Sequence, residues 1–220
     1  MRASVRRLTL LCGLLAATTV TGGCSSQMMR YWAYVWFGDK QNEVKADFDG
    51  LSGKTVAVVV YTDLRTQYEY PDLNLTLSSA ICGQLKDNVK KIKLVPAERI
   101  VRYQDENIYW PEMEKTELGK AFGADCVLFV PLEEFATRLP DSSYLYRGRV
   151  TCEPSVYDVS KPPREARVYK STEKIRVLYP ENEPAGMVNE NDRQIRTRTE
   201  ALFAERVAWK FYDHEEKPPK

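Results

Sequence analysis

Lys54-Thr55-Val56-Ala57-Val58-Val59-Val60-Tyr61-Thr62 carries no charged side chain after its first residue, and β-branched side chains dominate it. A strand with one wet face would alternate apolar and polar residues. A run that is apolar at nearly every position needs cover on both sides, so it predicts a central strand between two layers of helix. Working outward, Leu77, Ile81, Leu85 and Val89 recur every four residues and predict one apolar stripe on a helix over 73–90. Lys86, Lys90 and Lys91 stand at its end, where the helix dipole favours cations. Residues 92–95 read as a short second strand, and Pro96 opens the next helix. A further helix over 116–123 stops at Gly123, and 125–132 is a third strand.

Beyond this the pattern becomes extended. Residues 144–159 and 166–179, joined by a proline-rich stretch at 161–164, read as an antiparallel hairpin. Ile195, Leu202, Phe203, Val207 and Phe211 then fall at helical spacing and predict a C-terminal helix that packs back on the sheet. The order describes an α/β sandwich, a mixed β-sheet with packed helices, as a single domain over 54–214. Residues 215–220 are expected to be a disordered tail.

The start of the chain reads as an address. Arg2, Arg6 and Arg7 precede an apolar stretch over 8–20 that is long enough for export and too short to span a bilayer as a stable helix. Thr21-Gly22-Gly23-Cys24 follows and resembles the bacterial lipobox, with small residues before a cysteine whose thiol takes a diacylglyceryl group. Thr21 stands where that motif usually has an aliphatic residue. On this reading 1–23 is a removable signal peptide and Cys24 is the lipidated first residue of the mature chain. An ordinary secretory signal cut near Gly23 would instead leave Cys24 as a free thiol. Ser25 is the type of residue that outer-membrane lipoproteins carry at that place, which implies the periplasmic face of the outer membrane. Tyr31, Trp32, Tyr34, Trp36 and Phe37 lie close to the anchor; rings with polar tips suit the headgroup layer, or equally the first element of the domain. Residues 38–53 are polar and turn-rich, so 24–53 reads as anchor, membrane-proximal segment and linker.

The opening strand, the following helix and Leu118-Gly119-Lys120-Ala121-Phe122-Gly123-Ala124-Asp125-Cys126-Val127-Leu128 resemble an α/β module of bacterial envelope proteins. That group includes the curli-secretion lipoprotein, the N-terminal domain of TolB and penicillin-binding-protein activator lipoproteins. The resemblance covers about 54–180 and implies an α/β fold in the envelope. A pore of the curli type would need pairs of alternating lipid-facing strands, and residues 144–159 alternate only in part.

Composition bears on chemistry. Without 1–23 the chain has 220 − 23 = 197 residues, and loss of three arginines takes the formal charge from +1 to −2. That balance disfavours nucleic acid as a partner. His214 is the one histidine, which leaves little for a Ser-His-Asp triad or a multi-histidine metal site. Tyr61-Thr62-Asp63-Leu64 stands where a phosphate loop would need glycines. Cys82, Cys126 and Cys152 have no metal-type spacing and read as buried hydrophobes, although an oxidising compartment would permit a Cys126 to Cys152 disulfide. Glu133 and Glu134 are neighbours on a strand and face opposite sides. No catalytic residue, cofactor or metal is therefore expected.

Two aromatic loops remain. Tyr68 and Tyr70 follow the central strand at its carboxyl end, where open α/β sheets place ligands. Tyr109 and Trp110 form the second loop. Rigid amphipathic rings serve as contact anchors; the structural alternative is that Tyr68 and Tyr70 cover a helix start capped by Asp72. The expected function is a non-enzymatic, lipid-anchored module that binds an envelope protein or assembles with itself. The alternative is a lipoprotein binding a small molecule or glycan through the aromatic loops.

Overall fold

A computed structural model describes residues 42–140, 142, 144–182, 186–187 and 191–216. The expected signal peptide over 1–23, Cys24 and the aromatic segment at 31–37 lie outside the described residues. Lys45–His214 forms one compact unit. Strands β1 (Asn42–Val44) and β9 (His214–Glu216) form a separate two-stranded sheet, so Glu215 and Glu216 are extended strand residues rather than tail.

The compact unit is an α/β sandwich with a mixed sheet. Its order is β3 (Lys93–Leu94), β2 (Thr55–Tyr61), β4 (Cys126–Arg138), β5 (Tyr146–Cys152) and β8 (Ile175–Tyr179). Strands β6 (Ser155–Asp158) and β7 (Arg167–Lys170) continue β5 and β8 past short breaks, and β6 pairs with β4 while β7 pairs with β6. β3, β2 and β4 are parallel; the remaining neighbours are antiparallel. Val56 pairs with Cys126 and Tyr61 with Pro131, so β4 runs a further seven residues beyond the end of β2. The expected third strand ended at 132. It continues through Glu133 and Glu134 because a register shift there lets Phe135 return to the core.

Alternation along β2 splits the core in two, as a strand buried on both faces requires. Val56, Val58 and Val60 face α2 (Leu73–Asn88) and α5 (Asp192–Ala208), meeting Leu77, Ile81, Leu85, Phe203 and Val207. Ala57 and Val59 face α3 (Ala97–Glu106) and α4 (Lys115–Phe122), meeting Ile100, Leu118 and Phe122. A short helix, α1 (Leu64–Glu69), fills the turn between β2 and α2. α4 ends at Gly123 with φ of 66°, a left-handed conformation that glycine adopts without strain. α5 begins with a capping box in which Asn191 and Gln194 satisfy each other's backbone N–H groups.

The linker expected over 38–53 is in part core. Leu51 is fully buried, Phe48 stacks on Tyr169 at 5.4 Å, and the Phe48 N–H donates to the Lys210 carbonyl at 3.0 Å. Single apolar residues among turn formers carry no periodicity, so only their tertiary partners identify them. Cys82, Cys126 and Cys152 are free thiols, not disulfides.

Candidate functional site

The carboxyl end of the parallel strands is built from two loops and a turn. Where β2 ends, Thr62 is buried and its hydroxyl donates to Asn74 Oδ1 at 2.9 Å. Asp63 caps α1 by accepting from the Thr66 N–H at 2.7 Å, and Gln67 Nε2 donates to the Thr62 carbonyl at 2.8 Å. These bonds fix a helix of under two turns, too short to hold itself in isolation. α1 then carries Tyr68 outward and delivers Tyr70 inward.

Tyr70 packs edge-on against Phe135 at 4.8 Å, with its hydroxyl 3.0 Å from Thr137 Oγ1. Thr137 Oγ1 donates to Asp192 Oδ1 at 2.6 Å, and the Arg196 guanidinium lies 5.4 Å from the centre of the Tyr70 ring. Burial raises the Tyr70 phenol above its ordinary range. Arg196 also donates to Asp72 Oδ1 and Glu200 Oε1, both at 2.7 Å. Its hydrogen bond holds the Asp72 carboxyl below the usual carboxylate range, whereas burial raises that of Glu200. Asp72 stands at the α2 N-cap without capping it, because its carboxylate is engaged by Arg196.

On the other face, Trp110 is buried and meets Tyr61 edge-on at 5.7 Å, while Tyr61 stacks on Phe129 at 6.4 Å. Lys115 Nζ donates to the carbonyls of Pro111 and Met113 and lies 4.6 Å from the centre of the Phe129 ring. Asn107 Nδ2 donates to the Tyr103 carbonyl at 2.8 Å. The loop is thereby pinned on both sides of Ile108 and Tyr109, which project into solvent.

Tyr68 and Tyr109 are thus exposed, and Tyr70 and Trp110 are not. The expectation that all four are surface anchors is corrected: β4 extends far enough past β2 to cover Tyr70, and the end of β2 covers Trp110. Sequence reasoning missed Leu64, Ile108 and Tyr144. Among the described residues the exposed large apolar side chains are Leu64 (83%), Tyr68 (91%), Ile108 (82%), Tyr109 (76%) and Tyr144 (79%). All five lie in segments at the carboxyl end of β2 or β4, so among the described residues the strongly exposed large apolar side chains fall at one end of the sheet, with the α1 residues and the 107–113 loop on its two faces. An Ile directly before Tyr109 in a polar loop was the available signal for that loop.

Elsewhere several ionisable groups are engaged structurally. Lys54 Nζ lies 3.3 Å from Asp158 Oδ2 and 3.6 Å from Cys126 Sγ, beside a cleft of about 500 Å³ lined also by Asp125 and Ser160. Hydrogen bonds from Ser160, with help from Lys54, hold Asp158 as a carboxylate. Burial pushes the Cys126 thiol up and that of Cys82 to about 11, which suppresses thiolate chemistry. Glu133 and Glu134 pair with Lys174 and Arg149 at 2.7 and 3.1 Å. His214 is half-buried and stacks on Trp209 at 4.4 Å. No group of three or more His, Cys, Asp or Glu among the described residues is placed to hold a metal. No described helix is long and apolar enough to cross a membrane.

No known protein family matches the chain, and no curated protein matches it. Solved structures do. The chain is similar to the PelC dodecamer from Paraburkholderia phytofirmans at 16% identity and a TM-score of 0.41, over 76% of this chain and 95% of that one. It is similar to lipoprotein GNA1162 from Neisseria meningitidis at 15% identity and a TM-score of 0.41, over 67% of this chain and 94% of that one.

Proposed function

We propose that this chain is a bacterial envelope lipoprotein, anchored by a lipid on Cys24, whose domain is a non-enzymatic module that binds a protein through Leu64, Tyr68, Ile108 and Tyr109. The observation that carries this reading is the gathering of exposed apolar side chains at one end of the sheet. Scattered surface hydrophobes need no explanation, whereas a set confined to one end supports a contact site. Tyrosines held by a rigid scaffold bring large contact area at low entropic cost, and a few such anchors dominate interface energy. The hydrogen bonds that pin α1 and the 107–113 loop prepare them for contact.

Burial of Tyr70 and Trp110 favours a protein over a glycan or small molecule, since it removes two of the four rings on which a sugar could stack. The structural roles of Cys126, His214 and the carboxylates favour binding over catalysis. Ser25 after the lipidated cysteine supports the periplasmic face of the outer membrane.

Changing Tyr68 and Tyr109 together to Ser should lower recovery of the partner from native membranes by tenfold or more, since one lost hot-spot ring costs ~2 kcal/mol. Full recovery by a folded variant would reject the rim. The anchor is tested separately by mass spectrometry of the mature N-terminus, where a diacylglyceryl-modified Cys24 is expected and an unmodified peptide starting elsewhere would reject it.

A further inference from the structure

The opposite end of β2 carries a different surface. α2 closes with Lys86, the turn after it holds Lys90 and Lys91, and β3 begins with Lys93. All four side chains are exposed, with Asp87 the one acid between residues 86 and 93. No ion pair among the described residues engages any of the four. Four other lysines of the domain are paired, Lys54 with Asp158, Lys170 with Glu153, Lys174 with Glu133 and Lys210 with Asp47, whereas Lys45, Lys115, Lys120 and Lys161 are scattered along the chain and do not cluster.

Ordinary structural roles account for part of this cluster. Lys86 suits the end of a helix, and Lys93 on an edge strand blocks pairing with a foreign strand. Lys90 and Lys91 lie past the Val89 C-cap, beyond the last turn in which the helix dipole acts most strongly, so that role accounts for them less well than for Lys86. Lys91 has φ of 56°, a left-handed conformation where glycine or asparagine would be at ease. A lysine there keeps a charge at a conformational cost. Beside the lysines, Cys82, Ile92, Leu94 and Pro96 line an open groove of about 350 Å³ together with Lys86 and Glu98.

The chain itself leads to this surface. Residues 45–53 run along the amino end of the sheet, and both the Gly53 N–H and the Ser52 hydroxyl donate to the Lys90 carbonyl, at 3.2 and 3.0 Å. Twenty residues separate Cys24 from Lys45, and that length can reach up to about 70 Å when extended. A bilayer holding a lipid on Cys24 is within reach of the lysines.

We infer that Lys86, Lys90, Lys91 and Lys93 form a docking surface for anionic phospholipid headgroups. It holds the amino end of the sheet against the bilayer and turns the aromatic rim, at the other end of β2, towards the partner. The inference rests on the membrane-anchored reading. Lysines near an anionic surface each strengthen partitioning about fivefold, and the attraction is screened by salt.

The test uses the chain from residue 24 with Cys24→Ser, which keeps the whole compact unit and cannot take a lipid, so its outcome is independent of the anchor. Sedimentation with phosphatidylcholine vesicles is compared with and without phosphatidylglycerol. The expected result is binding that depends on phosphatidylglycerol and weakens with salt. Lys86→Gln, Lys90→Gln, Lys91→Gly and Lys93→Gln together should lower it a hundredfold or more, whereas Lys170→Gln with Lys174→Gln, which removes charges already paired, should leave it within about twofold. Circular dichroism establishes that both variants fold. If the fourfold variant does not fold, the parent's lipid and salt dependence, with Lys86→Gln alone lowering binding about fivefold, decides the matter. Equal binding to both vesicle types, or equal binding by parent and folded variants, would overturn the inference. So would lysine-dependent capture of a poly-glutamate peptide without vesicle binding, which would assign the surface to an acidic protein.

Discussion

Arg196 Nη2 lies 2.7 Å from Asp72 Oδ1, although 124 positions separate the two residues in the chain. This bond ties the start of α2 to α5 beside Tyr70. The partners differ in exposure, Asp72 being 62% exposed at its side chain and Glu200, the second carboxylate on Arg196, 9%. Asp72→Asn should therefore cost less than about 1 kcal/mol, as for other wet ion pairs. Arg196→Met should cost about 2–3 kcal/mol, because it leaves Glu200 buried without its cation.

The two carboxylates give opposite pH dependences. Asp72 has a lowered pKa, so its contribution is present above the ordinary carboxylate range and is lost as pH falls through the folded value. Glu200 has a raised pKa, which loss of Arg196 would raise further, so the penalty in Arg196→Met grows as pH rises through that folded value. Urea denaturation should show a larger gap between parent and Arg196→Met at about pH 7 than at about pH 4. An equal gap at both would mean that Glu200 is not the group left uncompensated.

Ile81 and Leu85 are fully buried in the same core cluster as Val56, Val58 and Val60. Truncation of either to Ala should cost about 2–5 kcal/mol by chemical denaturation. A cost below about half a kcal/mol for both would contradict this core.

Gly148 lies beneath Thr199 of α5, and a Cβ there would overlap the Thr199 hydroxyl and its Cβ. Gly148→Ala should destabilise by about 1–3 kcal/mol. The second change Thr199→Ala should recover part of that loss; additive costs would place the strain elsewhere.

Tyr68 and Tyr70 separate contact from stability. Tyr68→Ala should leave the denaturation midpoint almost unchanged, since a ring in water gains little on folding. Tyr70→Ala should cost about 3–5 kcal/mol, and Tyr70→Phe about 1 kcal/mol for the bond to Thr137. Similar midpoints for both alanine variants would mean that Tyr70 is not buried as described.

The central strand, the Ile81 and Leu85 stripe, the stop at Gly123 and the long hairpin were legible in the sequence because each rests on a local period or a backbone preference. The candidate site was legible only in part. Tyr68 and Tyr70 are two residues apart in one loop, and what separates them is a helix under two turns long and the extension of β4, both set by tertiary contacts. Glu133 and Glu134 broke the apolar pattern and hid that extension. Trp110 is covered by Tyr61, 49 residues away, which no local pattern encodes. Leu51 was hidden in the same way among the turn residues over 49–53.

Site-specific photocrosslinking in intact cells tests the partner-binding rim most directly. A photoreactive residue at Tyr68 or Tyr109 should each yield the same discrete protein adduct, whereas one at Glu165 or Lys174, which are exposed outside the rim, should yield none. Absence of any adduct from both rim positions, in cells where the protein accumulates and folds normally, would contradict the proposal that this end of the sheet is where the domain meets its partner.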